Sequence, residues 1–341
     1  MKTGESGRRI RNISELAKLA GVSAGTVSRA LAGKDLVNQQ TRERIQALAR
    51  EHGFRPNQMA SRLRTGHTGV IGVVIPLGHE RGQLLSDPFF MTLISHLADA
   101  VTERGYDLML SRVIPTDEDE WLGRIADSGM LDGVLMIGQS DQFEVIERVA
   151  ADYRPMVVWG AHRGGQLHCS VGTDSVAGGR LAARHLLERG ARRLAFFGEP
   201  TAIEIAQRLE GARAAVAEFG SGATIEAFPT RLAAEGCADQ VASHLDRMDP
   251  ATDGIFGASD VIAMATLRAL QQRGRKVPDE IAVVGYDDLP MAEQTVPPLT
   301  TVRQDIAAGA QAMVDSLFRK MAGEVVGPTV LEPRVIARES A

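Results

Sequence analysis

Residues 21–31 read GVSAGTVSRAL, a tight turn followed by a short amphipathic segment. Gly21 supplies the turn, and Ser23 can cap the helix that follows it. The segment before the turn opens with a capping pair, Asn12 and Glu15. Both segments carry apolar residues at helical spacing: Ile13, Leu16, Ala17 and Ala20 in the first, and Val27, Ala30 and Leu31 in the second. The stretch therefore predicts a helix-turn-helix.

A third helix completes this small unit, with Asn38 as its cap. Its apolar side is formed by three residues at helical spacing: Ile45, Leu48 and Ala49. Basic residues cover the outer faces of the helices: Lys18, Arg29, Lys34, Arg42, Arg44 and Arg50. Residues 1–68 contain 13 Lys and Arg against 5 Asp and Glu, whereas residues 69–341 contain 25 against 38. A basic head on an acidic body is typical of a nucleic-acid-binding module fused to another domain, because phosphate neutralisation supplies most non-specific affinity for DNA. A merely solvated helix bundle with basic outer faces stays open at this point.

Residues 13–75 resemble the LacI/GalR family of bacterial repressors. The resemblance lies in the helix GVSxxTVSRAL, in VNQQTRERIQALAREHGFRPNQMASRLR from Val37 and in the strand GVIGVVIP from Gly69. Three later motifs extend it over nearly the whole chain: VVGYDDLP, PPLTTVRQD and LEPRVIARES. The resemblance implies a transcriptional repressor that binds double-stranded operator DNA. Because one helix-turn-helix reads only one half-site, we expect a homodimer on a palindromic operator.

Short apolar runs alternate with longer amphipathic segments from Gly69 onward. The predicted strands are 70–75, 106–110, 133–137, 156–159, 194–197, 225–228, 254–256 and 281–284. The helical segments between them are 93–103, 145–151, 179–188, 206–219, 239–245 and 261–272. This alternation predicts parallel sheets with helices on both faces, and the length of the body favours two lobes over one core.

The fold class is therefore an all-α helix-turn-helix head joined by a hinge to an α/β two-lobed domain. The resemblance implies that this domain is periplasmic-binding-protein-like and that the chain returns to its first lobe after Pro297 and Pro298. The predicted domains are 1–56 for the DNA-binding head, 57–68 for the hinge and 69–341 for effector binding and dimerisation. Lobe 1 is predicted at about 69–170 plus 302–325, and lobe 2 at about 171–298 plus 326–341.

Ten residues are candidates for contact with DNA: Ser23, Ala24, Gly25, Thr26, Ser28, Arg29, Asn38, Thr41, Asn57 and Leu63. Relatives often carry base-reading side chains at the positions of Ala24 and Gly25, but neither residue can hydrogen-bond to a base edge; at most the Ala24 methyl group touches a thymine methyl. Base reading is therefore expected to depend on Arg29, which can bind guanine bidentately, while the hydroxyl and amide side chains hold phosphates. The resemblance also implies a hinge that becomes helical on operator DNA, where Leu63 wedges into the minor groove.

Eight residues are candidates for effector binding: Phe89, Phe90, Gln139, Trp159, Arg180, Arg208, Asp260 and Asp287. Ligands of open parallel sheets lie beyond the carboxyl ends of the strands, where most of these residues fall. Carboxylates, an arginine and aromatic faces suit a polyhydroxylated ligand, because they pair with its hydroxyls and cover its C–H face. The resemblance implies effector contact for Asp287 and Arg180, and more weakly for Arg208 and Phe90. The acidic residues favour an uncharged sugar, such as a glucoside, over a phosphorylated one.

Neither a run of 18 apolar residues nor a secretory leader is visible, so we expect a cytoplasmic protein without a membrane partner. Enzymatic signatures such as GxxxxGK[ST], GxGxxG, GxSxG and HExxH are missing, and the two cysteines have no metal-ligand spacing. We therefore expect no catalysis and no cofactor. Three alternatives stay open at this point: a nucleobase corepressor in place of the sugar, a sugar-binding protein of a transporter and a sugar-processing enzyme.

Overall fold

The structure is a computed structural model that describes residues 10, 12–31, 36–54, 67–77, 82–115, 120–153, 155–220, 222–232 and 234–341. The chain divides into two compact units, Met1–Thr68 and Gly69–Ala341. In the described part of the chain, no helix is long and apolar enough to cross a membrane.

The first unit contains helices α1 (Ile13–Ala20), α2 (Ala24–Leu31) and α3 (Gln39–Glu51). All three predicted caps are confirmed, because Asn12, Ser23 and Asn38 each accept a hydrogen bond from a backbone N–H three residues on, at 2.8–3.1 Å. Gly21 adopts the left-handed conformation, with φ of +64°, that ends α1 and opens the turn. The predicted helix-turn-helix is therefore present.

The three helices share one small core. Its fully buried members are Leu16 from α1, Val27 and Ala30 from α2, and Ile45 from α3. Each helix is too short to be stable alone in water, so this shared core holds the unit together.

The second unit contains two lobes, each built on a six-stranded sheet. The strands of the first sheet are β1 (Val70–Pro76), β2 (Asp107–Val113), β3 (Gly133–Ile137), β4 (Met156–Trp159), β5 (Cys169–Thr173) and β11 (Thr329–Leu331). Their order is β11-β5-β4-β3-β1-β2, and all neighbours are parallel. The helices of this lobe are α4 (Pro88–Glu103), α5 (Trp121–Ala126), α6 (Phe143–Asp152) and α11 (Ile306–Met321).

The strands of the second sheet are β6 (Arg193–Phe197), β7 (Thr224–Phe228), β8 (Gly254–Gly257), β9 (Ala282–Asp287), β10 (Thr300–Arg303) and β12 (Arg334–Ile336). Their order is β12-β10-β9-β8-β6-β7, and β12 alone among them runs antiparallel to its neighbour. The helices of this lobe are α7 (Ser175–Glu188), α8 (Ile203–Phe219), α9 (Ala234–Arg247) and α10 (Asp260–Gln272). Two short 3₁₀ helices, Ser140–Gln142 and Pro290–Gln294, complete the described elements.

The lobe boundaries differ from the predicted ones. The predicted boundary between residues 170 and 171 falls inside β5, which belongs to the first sheet, and β11, predicted in lobe 2, also belongs to the first sheet. Strand β10 belongs to the second sheet, although its last two residues were predicted in lobe 1 and its first two in neither lobe. The chain therefore crosses between the lobes three times: after β5, between β10 and α11, and between β11 and β12. These strands have three to five residues, too few for periodicity to assign them to a sheet.

Candidate DNA-binding head and ligand cavity

The N-terminal part of α2 presents a polar surface. Ser23, Ala24, Gly25 and Arg29 are exposed on it, and Thr26 and Ser28 are half-buried. The Ser23 and Thr26 hydroxyl oxygens lie 2.9 Å apart, so the cap and the first turn of α2 form one hydroxyl-bearing corner. This is the surface that predicted DNA contacts require, because hydroxyls and helix N-termini bind phosphates.

Arg29 has room to lie along α2. A β-carbon on Gly25 would lie 3.7 Å from Arg29 Nη2, which is an ordinary contact distance. Ala24 and Gly25 add no hydrogen-bonding group, so Arg29 is the long donor side chain on the exposed face of this helix. Asn38 is exposed and Thr41 half-buried, at the start of α3.

Asn57 and Leu63, the two candidates in the predicted hinge, lie outside the described residues.

A cavity of about 770 Å³ opens between the two lobes of the second unit. The first lobe lines it with Pro76, Gln83, Asp87, Phe89, Phe90, Ile137, Gly138 and Trp159. The second lobe lines it with Ala202, Glu204, Ile205, Arg208, Leu232, Ser259, Val261 and Asp287, and Gln304 lies at a crossing between the lobes. Many of these residues end or follow strands, as expected for a site at the carboxyl edge of parallel sheets.

Asp287 is presented to the cavity by a strained turn. It ends β9 with φ of +119°, and Asp288 follows with φ of +57°, values that residues other than glycine rarely adopt. The Asp288 carboxylate is 4% exposed and pairs with Arg303 Nε at 2.5 Å and Arg338 Nη2 at 2.7 Å. Asp287 Oδ1 accepts a hydrogen bond of 2.5 Å from Gln304 Nε2. These contacts hold the turn and fix the Asp287 carboxyl in the wall of the cavity.

Burial favours the neutral form of one cavity carboxyl in particular, that of Asp287. Burial raises the pKa of Asp287 to about 7, and the Asp87 carboxyl adds to the rise, while Arg208 and Gln304 oppose it. Burial also raises the pKa of Asp87, although a hydrogen bond from Gln83 at 3.1 Å lowers it. The Asp287 carboxyl can therefore donate as well as accept hydrogen bonds near neutral pH.

Arg208 is the one guanidinium among the described cavity residues. Its Nη1 donates to the Ala258 carbonyl at 2.6 Å, and its guanidinium carbon lies 3.7 Å from the centre of the Tyr286 ring. Arg208 is buried, and its Nε has no hydrogen-bond partner in the described part of the chain. Stacking and hydrogen bonding thus fix the charge of Arg208 beside Asp287.

Aromatic residues form the opposite wall. The Phe89 ring centre lies 5.9 Å from that of Trp159 and 6.0 Å from that of Phe90. Both phenylalanines lie in the first turn of α4, which Asp87 caps through a 2.9 Å hydrogen bond from Phe89 N–H. Together they give the cavity a broad apolar surface.

Five of the predicted effector residues line this cavity: Phe89, Phe90, Trp159, Arg208 and Asp287. The lining does not include Gln139, Asp260 or Arg180. Arg180 pairs instead with Glu218, since α7 packs against α8 and turns this side chain along their common surface. Asp260 is buried, and its carboxylate accepts hydrogen bonds from Thr301 Oγ1 at 2.5 Å and Leu289 N–H at 2.7 Å.

Five polar residues of the cavity are not among the eight predicted effector residues: Gln83, Asp87, Glu204, Ser259 and Gln304. Gln304 lies within PPLTTVRQD, a motif that carries part of the family resemblance but whose residues were not predicted to bind the effector. Glu204 lies in a helix whose spacing gives no indication of a site.

Comparison with known proteins gives a family match in each unit. Residues 12–57 match the family described as bacterial regulatory proteins, lacI family, and residues 183–341 match the periplasmic binding protein-like domain. The HTH-type transcriptional regulator CelR of Thermobifida fusca is 33% identical over 340 residues, which cover 98% of this chain and 99% of CelR.

Solved structures agree with this relationship. A CelR–cellobiose complex matches with a TM-score of 0.67 and 29% identity, covering 97% of this chain and 100% of that one. The lac repressor dimer bound to operator and the anti-inducer ONPF matches with a TM-score of 0.83 over 98% of this chain and 99% of that one, but its 23% identity shows the fold alone. The relatives are named as regulators, as expected for a protein that is not an enzyme. The family resemblance of the sequence is thus confirmed: the chain belongs to the LacI family of bacterial transcriptional regulators.

Proposed function

We propose that this regulator is a dimeric repressor whose affinity for a palindromic operator is controlled by an uncharged carbohydrate bound between the two lobes. The observation that carries the proposal is the cavity itself, in which an aromatic wall faces a cluster of hydrogen-bonding side chains. A sugar presents both an apolar C–H face and a rim of hydroxyls, so it satisfies both walls at once.

Charge supports an uncharged ligand. Among the described residues of the cavity, the carboxyl side chains of Asp87, Glu204 and Asp287 stand against one guanidinium, that of Arg208. A phosphate group requires several donors or cations, whereas sugar hydroxyls both donate and accept. A neutral saccharide therefore fits this lining better than a sugar phosphate.

A relative whose ligand is known suggests which sugar to test first. A regulator named CelR, 29% identical to this chain, has been solved as a complex with cellobiose. The cavity of this chain offers the aromatic and hydrogen-bonding side chains that a glucoside needs. Cellobiose is therefore the first sugar to test, with other glucosides beside it.

On the DNA side, we assign base reading in the major groove to Arg29. Neither Ala24 nor Gly25 has a side chain that can hydrogen-bond to a base; the Ala24 methyl group can only contact a thymine methyl. The phosphate contacts are assigned to the polar residues around the two helix starts: Ser23, Thr26, Ser28, Asn38 and Thr41. On family resemblance, Leu63 is assigned to the minor groove, and Asn57 is assigned a DNA contact in the hinge.

The ligand acts through the arrangement of the lobes. It can shift operator affinity only if it binds two lobe arrangements with different affinity. In a dimer, a change in that arrangement alters the separation of the two hinge segments. The hinge residues of both protomers then either enter the minor groove together or do not.

The test is binding of the full-length protein to DNA from its own upstream region, at fixed salt, across a panel of mono- and disaccharides and purines. Release of the DNA by a neutral sugar is the expected result. Tightening by a purine would replace the carbohydrate with a nucleobase corepressor. Failure to bind any upstream DNA would overturn the assignment as an operator-binding repressor.

A further inference from the structure

Glu204 lies in the wall of the cavity and also contacts the opposite lobe. It belongs to the first turn of α8, in the second lobe. Its Oε1 accepts hydrogen bonds from the Ala161 backbone N–H at 3.1 Å and from Gln139 Nε2 at 3.4 Å. Ala161 follows β4 and Gln139 follows β3, both strands of the first lobe. Any motion that parts the lobes on this side of the cavity breaks both bonds.

The first lobe holds both donors to Glu204, the Gln139 side-chain amide and the Ala161 backbone N–H, firmly in place. Gln139 is fully buried, and its Nε2 also donates to the Ala161 carbonyl at 2.6 Å. A β-carbon on Gly160 would lie 2.9 Å from Gln139 Nε2, so glycine leaves the space that this amide needs. The donors that face Glu204 are therefore preorganised rather than gathered from mobile side chains.

Glu204 has acceptor capacity to spare. Within the described residues its Oε2 accepts no hydrogen bond, while an ionised carboxylate has about four acceptor positions. Because Glu204 lines the cavity, a hydroxyl of a bound sugar can donate to this carboxylate while Oε1 stays bonded to the first lobe. One carboxylate then joins ligand, first lobe and second lobe.

A second contact between the lobes is apolar, and one of its two residues, Val261, also lines the cavity. Leu289 and Val261, both from the second lobe, pack against the core of the first lobe. Leu289 and Val261 have no role in recognising hydroxyls, so they stabilise the closed arrangement whether or not a sugar is bound. Glu204 differs from them because it combines a contact between lobes with a polar group in the cavity wall.

We propose that Glu204 is the latch of the cleft: it holds the two lobes together through its hydrogen bonds with Ala161 and Gln139. It is also a specificity residue, because a hydrogen bond from a ligand hydroxyl to the same carboxylate couples ligand binding to the arrangement of the lobes; this second part is its reporting role. The latch needs neither sugar nor DNA, whereas the reporting role rests on the proposed function.

The closing experiment measures lobe separation directly. Spin labels are placed on cysteines introduced at two exposed positions, by Glu103→Cys in the first lobe and Glu226→Cys in the second. The two native cysteines are buried and stay unlabelled. Labelled full-length chain is diluted with unlabelled chain, so that pulsed electron–electron distances arise within one protomer.

Four backgrounds are compared without ligand: the unchanged chain, Glu204→Ala, Glu204→Asp and Glu204→Gln. Alanine removes the acceptor and aspartate shortens its reach, so both shift the distance distribution away from that of the unchanged chain. Glutamine keeps an acceptor oxygen for Ala161 and stays near the original distribution. Glu210→Ala, an exposed carboxylate on the same helix, is the matched control and leaves the distribution unchanged.

The second arm is a cellobiose titration of the same proteins. We expect Glu204→Ala to weaken binding about tenfold, the loss of one to two hydrogen bonds. A distance distribution of Glu204→Ala and Glu204→Asp that superposes on that of the unchanged chain would overturn the latch. Shifted distances without a cellobiose effect would overturn the reporting role and leave the latch in place, and the proposed carbohydrate function is tested separately by the sugar panel.

Discussion

Asp287 concentrates the chemistry of the cavity in one side chain. It is buried, sits at a strained backbone position and accepts a hydrogen bond from Gln304, which lies at a crossing between the lobes. The GYD motif and its place after a strand predicted its importance from sequence. The contacts that hold its turn could not be predicted, because Arg338 lies 50 residues from its partner Asp288 and reaches the turn only through the pairing of β12 with β10.

The raised pKa of Asp287 gives a prediction on stability against pH. Its carboxyl has a pKa of about 7 in the folded chain against an ordinary value of 3.8, so between these values the folded state binds more protons than the unfolded state. The free energy of unfolding contributed by this group therefore falls as pH rises through the range from about 4 to 7. Burial of Asp87 and Asp260 raises the pKa of each, which acts in the same direction.

Asp287→Asn isolates that contribution. Urea unfolding at several pH values between 5 and 8 should show a shallower loss of stability with rising pH in the variant than in the unchanged chain. Asp279→Asn, on an exposed residue, serves as control and should keep the original slope. Parallel curves for the Asp287 variant and the unchanged chain would contradict the assignment.

Arg29 provides a prediction for DNA recognition. Replacing it with alanine removes a bidentate contact worth about 1–3 kcal/mol of discrimination, so operator affinity should fall roughly 10- to 100-fold while affinity for random DNA falls much less. Arg44→Ala, on the exposed face of α3, should lower both affinities by similar small factors. Fluorescence anisotropy measures the affinity of both variants for operator and for random DNA at one salt concentration. If Arg29→Ala lowered the two affinities by the same factor, Arg29 would not read bases.

At the scale of elements, most strands and helices of the body were predictable from their periodicity. All eight strands predicted in the body are present within a few residues of the expected bounds. The missed strands, β5, β10, β11 and β12, have three to five residues, and their sheet membership depends on pairing with distant strands. Helices α5 and α11 were also missed.

The pair α7 and α8 gives a prediction at this scale. Gly179 lets the helices approach so closely that a β-carbon on it would lie 1.9 Å from the carbonyl oxygen of Arg208. Gly179→Ala must push α8 away, at a cost of about 1–3 kcal/mol of stability, and move Arg208 from the cavity wall. Cellobiose binding should weaken with it.

A control substitution at a second helical glycine separates this effect from any general effect of replacing glycine with alanine on stability. Gly123 in α5 has open space around the position of a β-carbon and no positive φ, so Gly123→Ala should leave stability unchanged or raise it slightly. Thermal unfolding and cellobiose titration of both variants test the pair. Full stability and full binding in Gly179→Ala would rule out the close helix contact as a support of the site.

At the scale of the whole molecule, the chain combines a basic head with an acidic body. The charge difference and the helix-turn-helix were visible in the sequence, since both depend on local residue order. The cavity depends on three chain crossings that bring β9, α4 and α8 together, which explains why only part of its lining was foreseen.

The central claim is that a neutral sugar in the cavity controls operator affinity. Thermodynamic linkage makes it measurable in both directions, because the factor by which the sugar weakens operator binding must equal the factor by which the operator weakens sugar binding. We would titrate full-length protein with operator at zero and saturating cellobiose, and with cellobiose at zero and saturating operator. The account predicts the same factor in both titrations, typically about 5- to 150-fold, and its loss in Arg208→Ala. A sugar that binds the cavity with no change in operator affinity would contradict it.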